Sequence, residues 1–105
     1  MAYRPKLKHL FKIMVGKRDH SASQGLFLEG KIEYDNGNID DAQLMFYYGT
    51  KLDPDFAGNY YNYAVAEEKK NGPSEQALMA WEIYLDVASR DINQSEQAKS
   101  AVAEH

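Results

Sequence analysis

The feature that most constrains this 105-residue chain is that it repeats itself. Gly37, Ala42, Phe46 and Gly49 recur as Gly72, Ala77, Trp81 and Tyr84, each 35 residues later, while Leu26 and Gly30 recur as Tyr60 and Ala64 after 34. The additional residue falls in Asn71-Gly72-Pro73, a connection where an insertion costs least. A period of this length marks a supersecondary unit that cannot bury its apolar face alone and must stack on a neighbour. The repeat therefore constrains architecture more tightly than activity.

Each unit reads as a pair of helices. Ser21 with Gln24 makes a capping-box pattern and opens a helix that runs through Leu26, Phe27, Leu28, Ile32 and Tyr34 to Asp35. Asn36-Gly37 turns the chain. Asn38 or Asp40 caps the second helix, which carries Ala42, Met45, Phe46 and Gly49 on one face and stops at Asp53-Pro54. The third helix spans about Phe56 to Lys70, and the fourth follows a Ser74 cap with the stripe Ala77, Trp81, Tyr84, Leu85 and Ala88. Trp81, Tyr60, Tyr63 and Tyr84 are expected in the core.

Two shorter helices flank the repeat. Pro5 suits a first helical turn, and Leu7, Leu10, Phe11 and Met14 follow at helical spacing with Gly16 as the stop. A weaker helix is expected from about Asn93 to Glu104. No stretch alternates as a strand would. The expected fold is all-α, one domain over 1–105, a helical-hairpin stack with a basic helix at 5–15, repeat 1 at 22–54, repeat 2 at 56–88 and a capping helix at 93–104.

The charge is uneven. Arg4, Lys6, Lys8, Lys12, Lys17 and Arg18 give residues 1–18 a charge of +6 with no acid, which leaves −10 on the rest of a chain whose total is −4. The run Leu10 to Val15 is too short for a signal peptide or a span and is broken by Lys12, so a cytoplasmic location is expected. With no cysteine, thiolate chemistry and cysteine-based zinc sites are excluded. His9, His20 and His105 are scattered and none pairs at helical spacing with a ligating residue. There is no phosphate loop or nucleophile elbow. The segment from Asp35 to Asp40 resembles a calcium loop in composition alone, lacking the closing glutamate. Glu67-Glu68-Lys69-Lys70 reads as a solvated helix end. No catalytic residue, metal or cofactor is expected.

Ala42-x-x-x-Phe46 with Pro54, Ala77-x-x-x-Trp81, and the small residues Gly30 and Ala64 resemble the tetratricopeptide repeat, a 34-residue helix–turn–helix family. The resemblance covers about residues 23–88 and implies a non-catalytic interaction module. In that family the first helices of successive repeats line a concave groove for a peptide or helix, which maps here to Phe27, Lys31 and Tyr34 from the first copy and Tyr61, Asn62, Val65 and Lys69 from the second. Asn62 matches one position of the family's carboxylate clamp, whereas Phe27 and Lys31 depart from it, which favours an apolar or amphipathic partner segment. Either a partner protein, a second copy, or one of the chain's own terminal helices fills the groove. The alternative function is docking of the basic segment, Arg4 to Arg18, on an anionic membrane surface or nucleic acid.

The pattern fails at Glu29, Glu33 and Glu67, which stand where the family has large apolar residues, and at Ser89, which replaces the closing proline. A buried unpaired carboxylate is costly. The expectation is that the basic helix docks beside repeat 1, placing Leu7, Leu10, Phe11 and Met14 on its apolar surface and lysines near Glu29 and Glu33.

Overall fold

The computed structural model describes the backbone of residues 2–103 and the side chains of residues 2–90. It is all-α: α1 (Leu7–Met14), α2 (His20–Asp35), α3 (Ile39–Leu52), α4 (Ala57–Asn71) and α5 (Glu75–Ala103). The helices pack in sequence as a stack, α2 on α3, α3 on α4 and α4 on α5, with α2 also touching α4 and α1 resting on α3.

The turns that divide the hairpins hold where the sequence places them. Gly37 and Gly72 sit at φ 87° and 72°, a left-handed conformation that any β-carbon would strain, so both repeats turn on a glycine at the same register. Ser74 caps α5 as expected, its hydroxyl accepting from the Ala77 amide at 3.1 Å. The cap of α2 differs: Asp19, not Ser21, accepts the Ala22 amide at 3.0 Å and lengthens the helix to His20. Asn38 occupies the N-cap of α3 without bonding its own helix, because its amide donates to Glu33 at 2.7 Å.

The core is assembled from close crossings. A β-carbon on Gly30 would overlap the Phe46 ring, so the ring of α3 lies directly on the backbone of α2. Phe46 is 1% exposed and clusters with Ala42 and Ala66, edged by Tyr34, Ile39 and Tyr63. At the next level Gly49 admits Asn59 from α4, again where a β-carbon would collide. Asn59 Nδ2 donates to the Ser23 carbonyl and hydroxyl at 3.2 and 2.9 Å, and the Ser23 hydroxyl donates to the Gly49 carbonyl at 2.7 Å. This buried node ties α2, α3 and α4 together, and it leaves Asn59 Oδ1 unpartnered.

Three expectations are corrected. First, no break separates residues 88 and 93; α5 runs unbroken from Glu75 to Ala103, since Ser89 to Ile92 contains neither glycine nor proline. The expected terminal residue Glu104 lies outside the described residues. Second, the buried stripe of α5 is Ala77, Ala80 and Val87; Trp81 and Tyr84 are half-buried and Leu85 is exposed. Third, α1 docks by another face. Leu10 and Ile13 are half-buried, while Leu7, Phe11 and Met14 are 84%, 64% and 83% exposed. Its anchors are polar and flanking: the Tyr3 amide donates to Asp41 at 2.8 Å, the Tyr3 ring lies 6.2 Å from that of Tyr48, and Lys12 pairs with Asp19.

The lysines expected beside Glu29 and Glu33 are not there. Among the described residues neither carboxylate is in a salt bridge; Glu33 takes its hydrogen bond from Asn38, and Glu29 is exposed. Glu67 solves the same problem in the second repeat. It is 5% exposed, not part of a solvated helix end, and accepts from Gln43, from Asn71 at 2.9 Å and from Ser74 at 3.2 Å. In each repeat a misfit glutamate is satisfied by the polar turn next to it.

Candidate functional site

The first helices of the two hairpins, α2 and α4, form the walls of a cleft of about 240 Å³. Lys31, Tyr34 and Asp35 line it from α2 at helical spacings of three and four, and Tyr61, Asn62 and Val65 line it from α4. The Phe46 ring closes its floor. Five of the seven residues expected at the groove, Lys31, Tyr34, Tyr61, Asn62 and Val65, are thus brought together from two helices. They converge because the small residues Gly30 and Ala64 let each first helix sink onto its partner, which turns the next residues outward on the same side.

The other two stand elsewhere. Phe27 is spent on packing: its ring meets Phe56 edge-on with centroids 5.3 Å apart, and the Lys31 ammonium sits 5.1 Å above it. Lys69 is exposed, one turn beyond the cleft. Asp35 was missed, although it comes four residues after Lys31 and therefore shares its face.

The α4 wall continues as an aromatic surface. Tyr61 lies 5.1 Å from Trp81 and 5.3 Å from Tyr84, each edge-on, so the groove passes without a break onto α5. The Trp81 indole N–H donates to Glu68 at 2.8 Å. On the opposite face a smaller apolar cleft of about 180 Å³ lies between α3, α4 and α5, lined by Tyr47, Tyr60, Tyr63, Met79 and Ile83 among others. Burial pushes the Tyr63 hydroxyl above its usual range, with Glu67 adding to the effect, and the same burial raises Tyr60. Both remain neutral hydrogen-bonding phenols at physiological pH.

The basic segment is not one uniform patch. Lys12 is taken by Asp19 and Arg18 by Asp55, while Arg4, Lys6, Lys8 and Lys17 have no salt bridge among the described residues. The Lys12 ammonium holds the Asp19 carboxyl below its ordinary value of 3.8, aided by the Ala22 amide. His9, half-buried within α1, is pushed down by burial and by its lysine neighbours. His20 Nδ1 shares a bond with Asp53, which fastens the start of α2 to the end of α3. Among the described residues no group of three or more metal-ligating side chains stands together, and no helix is long and apolar enough to cross a membrane.

Comparison with family models, with curated proteins and with solved structures finds no match to this chain. Function must therefore be read from the groove itself.

Proposed function

We propose that the chain is a non-catalytic interaction module, resembling a pair of tetratricopeptide repeats, that holds a peptide or helical segment of a partner protein in the groove between α2 and α4. The observation that carries this reading is the convergence of Lys31, Tyr34, Tyr61, Asn62 and Val65, from two sequence-distant helices, on one cleft. The groove's size favours a segment of a larger partner over a small molecule. At about 240 Å³ it falls below the usual range for small-molecule pockets, about 300–1,000 Å³, and accommodates one or two anchoring side chains of a longer segment.

The chemistry suits an amphipathic segment. Tyr34, Tyr61 and Val65 offer apolar and aromatic surface, while Lys31, Asp35 and Asn62 supply polar groups at the rim for orientation. Aromatic residues held by neighbouring rings bind at low entropic cost, as Tyr61 is held by Trp81 and Tyr84.

Selection from a displayed library of helical peptides tests the reading. Selected peptides should bind wild type and weaken by about tenfold or more with Tyr61→Ala, the loss of about 1.4 kcal/mol that an anchoring aromatic supplies. Peptides whose affinity is indifferent to both Tyr61→Ala and Val65→Asp would rule the groove out.

A further inference from the structure

Two helix faces have no partner among the described residues, one on α1, which rests on α3, and one on α5, the last helix of the stack. On α1, Leu7, Phe11 and Met14 form an i, i+4, i+7 stripe turned to solvent, with Lys8 beside it. On α5, Leu78 and Leu85 are 58% and 62% exposed and share a face with the half-buried Trp81 at i, i+3, i+7. That second stripe is flanked by Glu75 and Glu82, neither of which has a salt bridge among the described residues. A hollow of about 580 Å³ opens beside it, lined by Glu68, Glu75, Leu78 and Trp81 among others.

The repeat itself says what kind of object the α5 face receives. Shifted by 35 residues, Glu75, Leu78, Trp81 and Leu85 correspond to Asp40, Gln43, Phe46 and Thr50 of α3. In the first hairpin that face is covered by a helix: Gln43 bonds Glu67, Phe46 packs against Ala66, and Asp40 takes Lys70 at 3.1 Å, all from α4. The α5 face thus has the register of a helix acceptor, with a carboxylate at the position that binds an incoming lysine. Gln43 and Thr50 have become Leu78 and Leu85, so the incoming face is more apolar than α4.

We infer that α5 accepts α1 of a second copy, so that molecules associate head to tail. Leu7, Phe11 and Met14 of the incoming α1 lie along Leu78, Trp81 and Leu85, and Lys8 reaches the Glu75–Glu82 side. The donor face is basic and the acceptor face acidic, in keeping with +6 on residues 1–18 and −10 on the remainder. Since donor and acceptor differ, the contact is heterologous and can continue from copy to copy. An anionic lipid surface would meet α1 with the same lysines, but it would also face the acidic remainder of the chain, and Lys12 and Arg18 are already held by Asp19 and Asp55.

One helix face on another is smaller than a standard interface and binds weakly, so sedimentation equilibrium over about 10 μM to about 1 mM is the test. Wild type should rise to at least about 1.5 times the monomer mass at the upper end, as a micromolar-to-millimolar contact requires. Phe11→Asp and Leu85→Asp, both at exposed positions that the fold does not need, should each remain monomeric. Mixed together they should form a 1:1 pair that grows no further, because each retains the half that the other lacks. Wild type that stays monomeric throughout overturns the inference, and co-sedimentation of that monomer with phosphatidylserine vesicles would reassign α1 to lipid. Association that survives Leu85→Asp overturns it equally, since α1 would then be pairing with itself or with another surface. Binding of peptides in the groove is read separately through Tyr61→Ala and is indifferent to either result.

Discussion

Phe46 and Trp81 hold the same register in successive hairpins, yet Phe46 is 1% exposed and Trp81 only half-buried. The difference comes from the neighbouring hairpin. Phe46 is sealed by Ala66 and Tyr63 of α4, the first helix of the second hairpin, whereas among the described residues no further hairpin packs on α5. Gly49 and Tyr84 repeat the lesson. Gly49 must lack a side chain because Asn59 of α4 occupies that space; at the matching position of α5 no helix of a further hairpin arrives among the described residues, and Tyr84 fits against Tyr61 and Trp81. In a stacked repeat, burial of the second helix is therefore supplied by the neighbour, and a residue's register predicts its burial only when the neighbour exists.

The comparison can be broken most sharply at the aromatic pair. Phe46→Ala should destabilise by about 3–5 kcal/mol in urea unfolding, the usual cost of emptying a sealed aromatic site. Trp81→Ala should cost less, because part of the indole remains in contact with water in the folded chain. Equal losses would mean that the second hairpin is as closed as the first. Next in size is Gly49→Ala, whose added methyl collides with Asn59 and should cost about 1–3 kcal/mol by the same assay. Tyr84→Ala meets no such collision, and an alanine at position 84 should leave the α4–α5 crossing intact.

The smallest effect sharpens the contrast at the other end of the stack. Asp19→Ala removes the side-chain cap of α2 and the partner of Lys12, and should cost about 1 kcal/mol. The Asp19 carboxyl is held below its ordinary value in the folded chain, so its contribution is complete above the ordinary carboxylate range and is lost as pH falls through the lowered value. The difference in stability between wild type and Asp19→Ala should accordingly be constant near neutrality and shrink in acid below about pH 4. A difference that persists unchanged at low pH would show that Lys12 and the Ala22 amide do not favour the charged form.

Much of this was legible in the chain. The glycines at 37 and 72, the stop at Asp53-Pro54 and the Ser74 cap are local signals, and local signals suffice for helix boundaries. The groove residues were named from the resemblance, which assigns them to the two first helices, and five of the seven line one cleft. The features that stayed hidden depend on partners distant in sequence. The burial of Glu67 requires Gln43, 24 residues away, and the Ser23–Asn59–Gly49 node joins three helices through residues that look like surface. The orientation of α1 was also hidden: its most apolar stripe was the natural candidate for docking, but Leu10 and Ile13 are the residues that meet the stack. The unbroken α5 was readable after all, since nothing between Ser74 and Ala103 stops a helix.

Trp81 is the chain's only tryptophan, so its fluorescence reports on the open end of the stack without any substitution. In dilute solution, where each copy is alone, acrylamide should reach it and its emission should lie to the red of a sealed indole. A blue-shifted emission that acrylamide cannot reach would place Trp81 in a closed core like that of Phe46 and contradict the account.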